Sequence, residues 1–460
     1  MFQLDLGSTS RYCDGLSRRS FIKLGVAGMA SVGLPGLLRA RDVSAQSTRE
    51  RKDTSVILIW LDGGPSHMDL YDLKPDAPAE NRGIWKPIPT RVPGFEISEL
   101  FPKQAAVADK FSIVRSLHHD TGDHFMGAHL MLTSKAMGVS GANTEGKFPG
   151  IGAIASRELG SRRSGVPPYV AIPHAASVGI NPGYFGGNFL GMQFNPFPTG
   201  GNPDAPNFSV QNLNLARGLS MPRLEDRRSL VKHFDEVSKS LETMAEVQAM
   251  DRFSQEAFDF VTSPVTREAF QIHKEEPRLR DQYGRNEWGQ SALLARRLVE
   301  AGSTFVTVHL GGWDHHWNLK AGMEANLPKV DAMVATLLRD LHERGLLDKT
   351  LVVMCGEFSR TPRMNNGGNG GAPMSMGTPG RDHWGNAMFC LMGGGGVRGG
   401  QIVGSTDRLG YRPHTRPVTP ANIHATMYKV LGLDPKLQVL DRAGRPISVL
   451  EDPTPIHELL

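Results

Sequence analysis

Three apolar, β-rich runs each end at glycine beside an acidic or histidine residue. SVILIWLDGG carries Asp62, FVTVHLGGWDHH carries Asp314, His315 and His316, and LVVMCGEFSRTP carries Glu357. A short continuous apolar run is how a strand buried on both faces reads, and such strands belong to parallel sheets. FSIVRSLHH and PYVAIPH are weaker runs of the same type, and AMFCLMGGGG reads as a further strand of this plan.

Helical patterns alternate with these runs. NLPKVDAMVATLLRDLHERGLLDKT precedes the Val352 run and GQSALLARRLVEAGS precedes the Phe305 run. TPANIHATMYKVLGL follows near the C-terminus, with Thr419 placed to cap and Pro420 at the first helical position. Strand alternating with helix predicts an α/β fold, doubly wound, with a mainly parallel sheet and helices on both faces. In such sheets the ligand site lies at the carboxyl ends of the strands, where the acidic and histidine residues fall.

The first 45 residues form a separate unit. SRRSFIKLGVAGMASVGLPGLL places Arg18 and Arg19 before Phe21, Lys23 and a weakly apolar run, and VSA ends at Ala45. This order resembles a twin-arginine export signal cleaved after Ala45, which predicts a periplasmic or secreted protein exported folded by that machinery. Cleavage would remove six Lys/Arg and three Asp/Glu from a formal charge of +4, leaving a nearly neutral mature chain with no electrostatic reason to bind nucleic acid. Only Cys355 and Cys390 would remain, each inside an apolar run, and both are expected as buried free thiols. No stretch of the mature chain suggests a stable transmembrane span.

Residues 46–460 are expected to form one domain. Between about 175 and 300 it carries a loop-rich and helical insertion or cap, beginning with NPGYFGGNFLGMQFNPFPTGGNPDAPNF.

Oxygen and nitrogen donors without cysteine suit one or two divalent cations such as zinc, manganese, calcium or magnesium. The candidate ligands are Asp62, Asp314 with His315 and His316, Glu357, and Asp382 with His383 in GRDHWGN. None is specific alone; their shared relation to strand ends is what joins them. His315 and His316 are neighbours, so in extended chain they point to opposite sides and one of the two faces the metal. SLHHDTGDHFMGAHLMLTSK adds Thr121, either a nucleophile at a helix N-terminus or the cap of that helix. Arg360 is a candidate for neutralising a substrate anion.

The succession VILIWLDGGPSHMDLYDLKP, HHDTGDHFMGAHLMLTS, the Glu276–Asn318 segment, GEFSRTPRMN and GRDHWGNAMFCLMGGGGVRGG resembles a bacterial family of exported proteins of uncharacterised function. That family is placed in the alkaline phosphatase-like superfamily with sulfatases and phosphopentomutases. The resemblance spans about residues 50–450. It implies a metal-dependent hydrolase of phosphate or sulfate esters, with an anionic ester as substrate. It also implies Asp62 as the metal ligand after the first strand, Asp314 with a following histidine, a carboxylate at Glu357, and His383 as the final ligand, with Asp382 as ligand or orienting partner. Phe358 stands where the superfamily has a histidine ligand. Thr121 is the matching nucleophile, with Ser66 behind it. The alternative implied by these departures is a non-catalytic exported binding protein that keeps the fold.

Overall fold

In the computed structural model, the apolar runs become the strands of one eight-stranded sheet. Its strands are β1 (Ser55–Leu61), β2 (Phe111–Leu117), β3 (Tyr169–Ile172), β4 (Phe197–Pro198), β5 (Phe305–Leu310), β6 (Thr350–Cys355), β7 (Met388–Gly394) and β8 (Ile402–Val403). Their order across the sheet is β8-β2-β7-β6-β1-β5-β3-β4. The structure describes residues 53–137, 148–177, 179–210, 259–260, 262–366 and 378–460. The export-signal segment and residues 211–258 of the expected insertion therefore lie outside the described residues. The described part belongs to one compact unit, Lys52–Leu460.

All seven residues of β1 are buried because both faces of the sheet are covered. Ile57, Ile59 and Leu61 feed one core, and Val56, Leu58 and Trp60 the other. The main helices are α1 (His124–Thr133), α2 (Ile151–Leu159), α3 (Glu287–Ala301), α4 (Leu319–Glu343) and α5 (Pro420–Leu431). Leu293 and Leu294 of α3 and Val330 and Met333 of α4 pack on the first face. Ala128 of α1, Ile154 of α2 and Ile423 of α5 pack on the second. Each fully buried aliphatic side chain of this kind contributes about 1.5–3 kcal/mol. The Thr419 capping box and Pro420 start α5 as the sequence indicates.

Strand direction differs from the simple plan at one place. β1 pairs in parallel with β5 and β6, but β7 runs antiparallel to both β6 and β2. A uniformly buried apolar run reads the same in either direction, so the sequence pattern carries no orientation here. The consequence is positional: the residues before β7, not after it, reach the carboxyl edge of the parallel strands. Asp382 and His383 arrive there from a two-residue ribbon, His383–Trp384, paired with Ser359–Arg360.

Cys355 and Cys390 sit in the neighbouring antiparallel strands β6 and β7 as buried free thiols. Among the described residues, no helix is long and apolar enough to cross a membrane.

Candidate metal centre

The loop after β1 closes tightly against the loops after β5 and β6. Gly63 has φ +117°, and a Cβ there would lie 2.6 Å from the Asp314 backbone nitrogen. Gly64, at φ +81°, leaves room for the Phe358 ring, which a Cβ would approach to 2.4 Å. These close approaches need glycine. They let the Gly63 N–H donate to Glu357 Oε1 at 2.8 Å, joining two strand ends.

Asp314 is the focus of the edge. Its Oδ1 lies 3.2 Å from His383 Nε2 and 3.2 Å from His316 Nε2, and its Oδ2 lies 3.5 Å from His124 Nε2. His124, Asp314 and His383 each bring one ligand-type atom within 4.8 Å of the others. Arg360 also contacts Asp314 Oδ1.

The outer nitrogens of the histidines define their tautomers. His383 Nδ1 lies 2.8 Å from the Gly122 carbonyl oxygen, which can only accept, so Nδ1 carries the proton. His316 Nδ1 lies 2.8 Å from Asp382 Oδ1 and donates to that carboxylate. Both Nε2 atoms of the neutral rings are then lone pairs, and they face each other at 2.9 Å beside a carboxylate oxygen. Lone pairs converging in this way require a proton or a cation among them. Imidazoles whose second nitrogen is fixed by a carboxylate or carbonyl are also the usual form of metal-bound histidine. The residues thus fit a divalent cation. The 3.2 Å separations match the ligand-to-ligand span of a tetrahedral site with bonds of about 2.0–2.1 Å.

Electrostatics agree with a site short of positive charge. Burial alone would raise the Asp314 pKa, but His124, His316, His383 and Arg360 hold its carboxyl well below the usual range. Burial would lower the His124 pKa, yet the Asp314 and Glu357 carboxylates outweigh it and raise it to about 9. Asp314 and then Asp382 raise His316 against its burial, whereas burial keeps His383 low. Glu357 is fully buried, and burial pushes its carboxyl up despite His124 Nδ1 at 2.8 Å. Its Oε2 is buried without a hydrogen-bond partner.

The remaining sequence candidates divide. His315 turns away: its ring packs where a Cβ on Gly322 would stand, and burial, then Arg360, lowers its pKa to about 4. Asp382 orients His316 and accepts from Asn365 Nδ2 at 3.2 Å. Asp62 accepts from Trp60 Nε1 at 3.2 Å and lies 3.3 Å from His309 Nε2. Arg360 is fully buried, donating to the Gly63, Gly64 and Arg381 carbonyls as well as to Asp314, so its guanidinium braces the loops. Ser66 is buried and donates to Asp69 Oδ2 at 2.5 Å. Thr121 Oγ1 accepts from the Asp123 N–H at 3.1 Å, while the helix cap is Asp123, which accepts from Met126 N. Trp313 is buried and stacks on Trp288 with ring centroids 5.8 Å apart.

His124 and His119 also reach this edge, although neither is among the candidates read from the sequence. His119 accepts from Thr121 N at 3.3 Å and reaches the Glu357 carbonyl at 2.7 Å, clamping the segment to the strand end. The signal was present in the density of HHDTGDH, but the spacing does not say which histidine faces inward.

A family described as "Protein of unknown function (DUF1501)" matches residues 53–460. The chain belongs to that family. None of the curated proteins matches it. Among solved structures, the chain is similar to a protein in the alkaline phosphatase superfamily from Vibrio parahaemolyticus. They share 10% identity over 85% of this chain and 74% of that one, with a TM-score of 0.38. It is also similar to alkaline phosphatase from the Antarctic bacterium TAB5, with 12% identity over 84% and 99% of the two chains and a TM-score of 0.37. For PsFucS1 sulfatase from Pseudoalteromonas sp. the values are 13%, 86% and 71%, with a TM-score of 0.35. At these scores the likeness bears on neither the reaction nor the substrate of this DUF1501 protein.

Proposed function

We propose that this DUF1501 protein is a metal-dependent hydrolase of phosphate or sulfate esters, exported folded by the twin-arginine route, with its cation held by Asp314, His316 and His383 and flanked by His124. The observation that carries the reading is the pair of Nε2 lone pairs, 2.9 Å apart, that converge on Asp314. A divalent cation there supplies Lewis-acid polarisation of an ester oxygen.

The chain's own residues set the geometry. Asp382 and the Gly122 carbonyl fix the two imidazoles, Glu357 fixes His124, and Arg360 balances part of the Asp314 charge from below. Thr121 is the side-chain nucleophile of this reading, one residue before the carbonyl that orients His383.

Purified protein freed of metal and reconstituted with zinc or manganese is expected to hold at least one cation per chain and to turn over an aryl phosphate or aryl sulfate. Thr121→Ala is expected to abolish turnover while keeping the metal. Less than one cation per chain after reconstitution would overturn the reading.

A second reading, a non-catalytic binding protein, is favoured by the burial of both Arg360 and Ser66, which removes an anion clamp and one hydroxyl from the edge. It predicts bound metal with no turnover and no effect of Thr121→Ala.

A further inference from the structure

Asp382 and His383 reach the sheet edge on a segment with no parallel strand behind it, because β7 follows them and runs antiparallel to β6. Directly before them stands Arg381. Its side chain is fully buried and pairs with the equally buried Asp69 carboxylate, Nε to Oδ2 at 2.9 Å. Asp69 lies in the helical turn His67–Leu70 after β1. There its Oδ1 accepts from Ile84 N at 2.9 Å and its Oδ2 from Ser66 Oγ at 2.5 Å. The rest of the Arg381 guanidinium donates to the Thr361 carbonyl at 3.0 Å, the Arg82 carbonyl at 2.9 Å and the Pro362 carbonyl. The Arg381 backbone N–H donates to the His315 carbonyl at 3.0 Å. One residue thus ties the chain after β1, β5 and β6 to the segment that carries His383.

We propose that Arg381 and Asp69 are a positioning pair for the metal centre, holding Asp382 and His383 in place against Asp314 and His316. The proposal rests on the reading of that centre as a cation site. Mere support does not require such a pair, since apolar side chains of similar volume often stabilise a core as well as a buried ion pair does. What apolar side chains lack is direction. A planar guanidinium has its N–H donors in a fixed fork, so its acceptors must keep their relative places. The constraint passes to the ligands through the backbone. Asp382 N donates to Thr361 Oγ1 at 3.0 Å, and Thr361 N donates to the Asp382 carbonyl at 2.8 Å. Gly380, on the other side of Arg381, lies so close to His316 that a Cβ would stand 2.1 Å from its carbonyl oxygen. A shift of Arg381 therefore moves His383 and also Asp382, which orients His316. Metal–ligand distances hold to within about 0.2 Å, so a small displacement weakens binding.

The test compares metal-stripped full-length wild type with Arg381→Lys and Asp69→Asn, and with Arg296→Lys in the ion-pair network between α3 and α4 as a control. Zinc(II) affinity is read by competition with a metal-binding dye, and ligand geometry by the visible absorption of the cobalt(II)-loaded protein. Circular dichroism checks the fold, and Asp69→Asn carries the test where Arg381→Lys does not fold. Arg381→Lys keeps the charge opposite Asp69 but loses the fork, and Asp69→Asn keeps the shape but loses the charge. Each is expected to lose about 10–100-fold in zinc affinity and to shift the cobalt bands. Arg296→Lys is expected to lower the urea midpoint while leaving affinity and spectrum as in wild type. Wild-type affinity and spectrum in folded Arg381→Lys and Asp69→Asn would overturn the proposal and leave the Asp314 centre standing. The same loss of affinity in Arg296→Lys would overturn it too, by tracing the effect to general destabilisation. No uptake of zinc or cobalt by the wild type would overturn the Asp314 centre and the proposal with it.

Discussion

Two regions of the molecule pack charge at similar density to different ends. Between α3 and α4, Arg296 is buried and contacts Glu275 at 2.6 Å, Glu300 at 2.6 Å and Asp340 at 2.9 Å. Arg297 and Arg344 add bonds to Glu275 and Asp340, and Tyr283 donates to Asp340 at 2.8 Å. Each carboxylate there meets at least one guanidinium. At the sheet edge Asp314 also meets a guanidinium, that of Arg360, but imidazole nitrogens converge on it and the buried Glu357 Oε2 has no hydrogen-bond partner. The helical cluster pairs its carboxylates with guanidinium groups, while the sheet-edge cluster needs a proton or a cation among its imidazoles. Balance of charge, not its density, separates a brace from a site.

Breaking the brace should have the largest effect. Arg296→Ala removes the buried guanidinium shared by Glu275 and Asp340, leaving them to the more exposed Arg297 and Arg344, and is expected to destabilise the fold by up to about 3–5 kcal/mol in urea unfolding, without altering metal stoichiometry. A loss below about 1 kcal/mol would mean that the network is solvated and the comparison fails.

Breaking the site should do the opposite. His316→Ala is expected to weaken the cation at Asp314 by more than the roughly hundredfold upper end found for outer-shell partners, with little change in the urea midpoint. Competition with a metal-binding dye measures it.

Asp382→Asn keeps an acceptor for His316 but removes the charge that holds its tautomer. The expected loss of metal affinity is smaller, about 10–100-fold. Unchanged affinity would show that Asp382 does not orient a ligand.

The smallest effect lies on α4, outside both clusters. Asp331 accepts from Lys103 N and Gln104 N, but burial outweighs these bonds and raises its pKa to about 6. The native carboxyl keeps a proton that the unfolded chain has already released above about pH 4. This contribution to stability is therefore full below that pH and is lost as pH rises through about 6. Asp331→Asn should flatten this part of the melting-temperature profile between about pH 4 and 6. A slope identical to wild type would assign the titration elsewhere.

Much of the architecture was legible because the buried strands are continuous apolar runs bounded by glycine. Their orientation was not: Met388–Gly394 is buried throughout, and only pairing reveals that it runs antiparallel. That reversal explains how His383 reaches the strand ends although it precedes its strand. Asp314 and Glu357 were readable as residues following strands. Arg360 and Ser66 read as polar loop residues open to substrate, because sequence does not show that backbone carbonyls and Asp69 enclose them. His124 was hidden by its place at the start of a helix. It becomes visible only when separate strands are set side by side.

The central claim is that Asp314, His316 and His383 complete themselves with a divalent cation. Elemental analysis of wild type and a His316→Ala/His383→Ala double variant, both stripped and reconstituted with zinc under the same conditions, tests it most directly. The account predicts that the double variant retains at least one cation fewer per chain than the wild type, with the fold intact by circular dichroism. Equal metal content in the two proteins would contradict it.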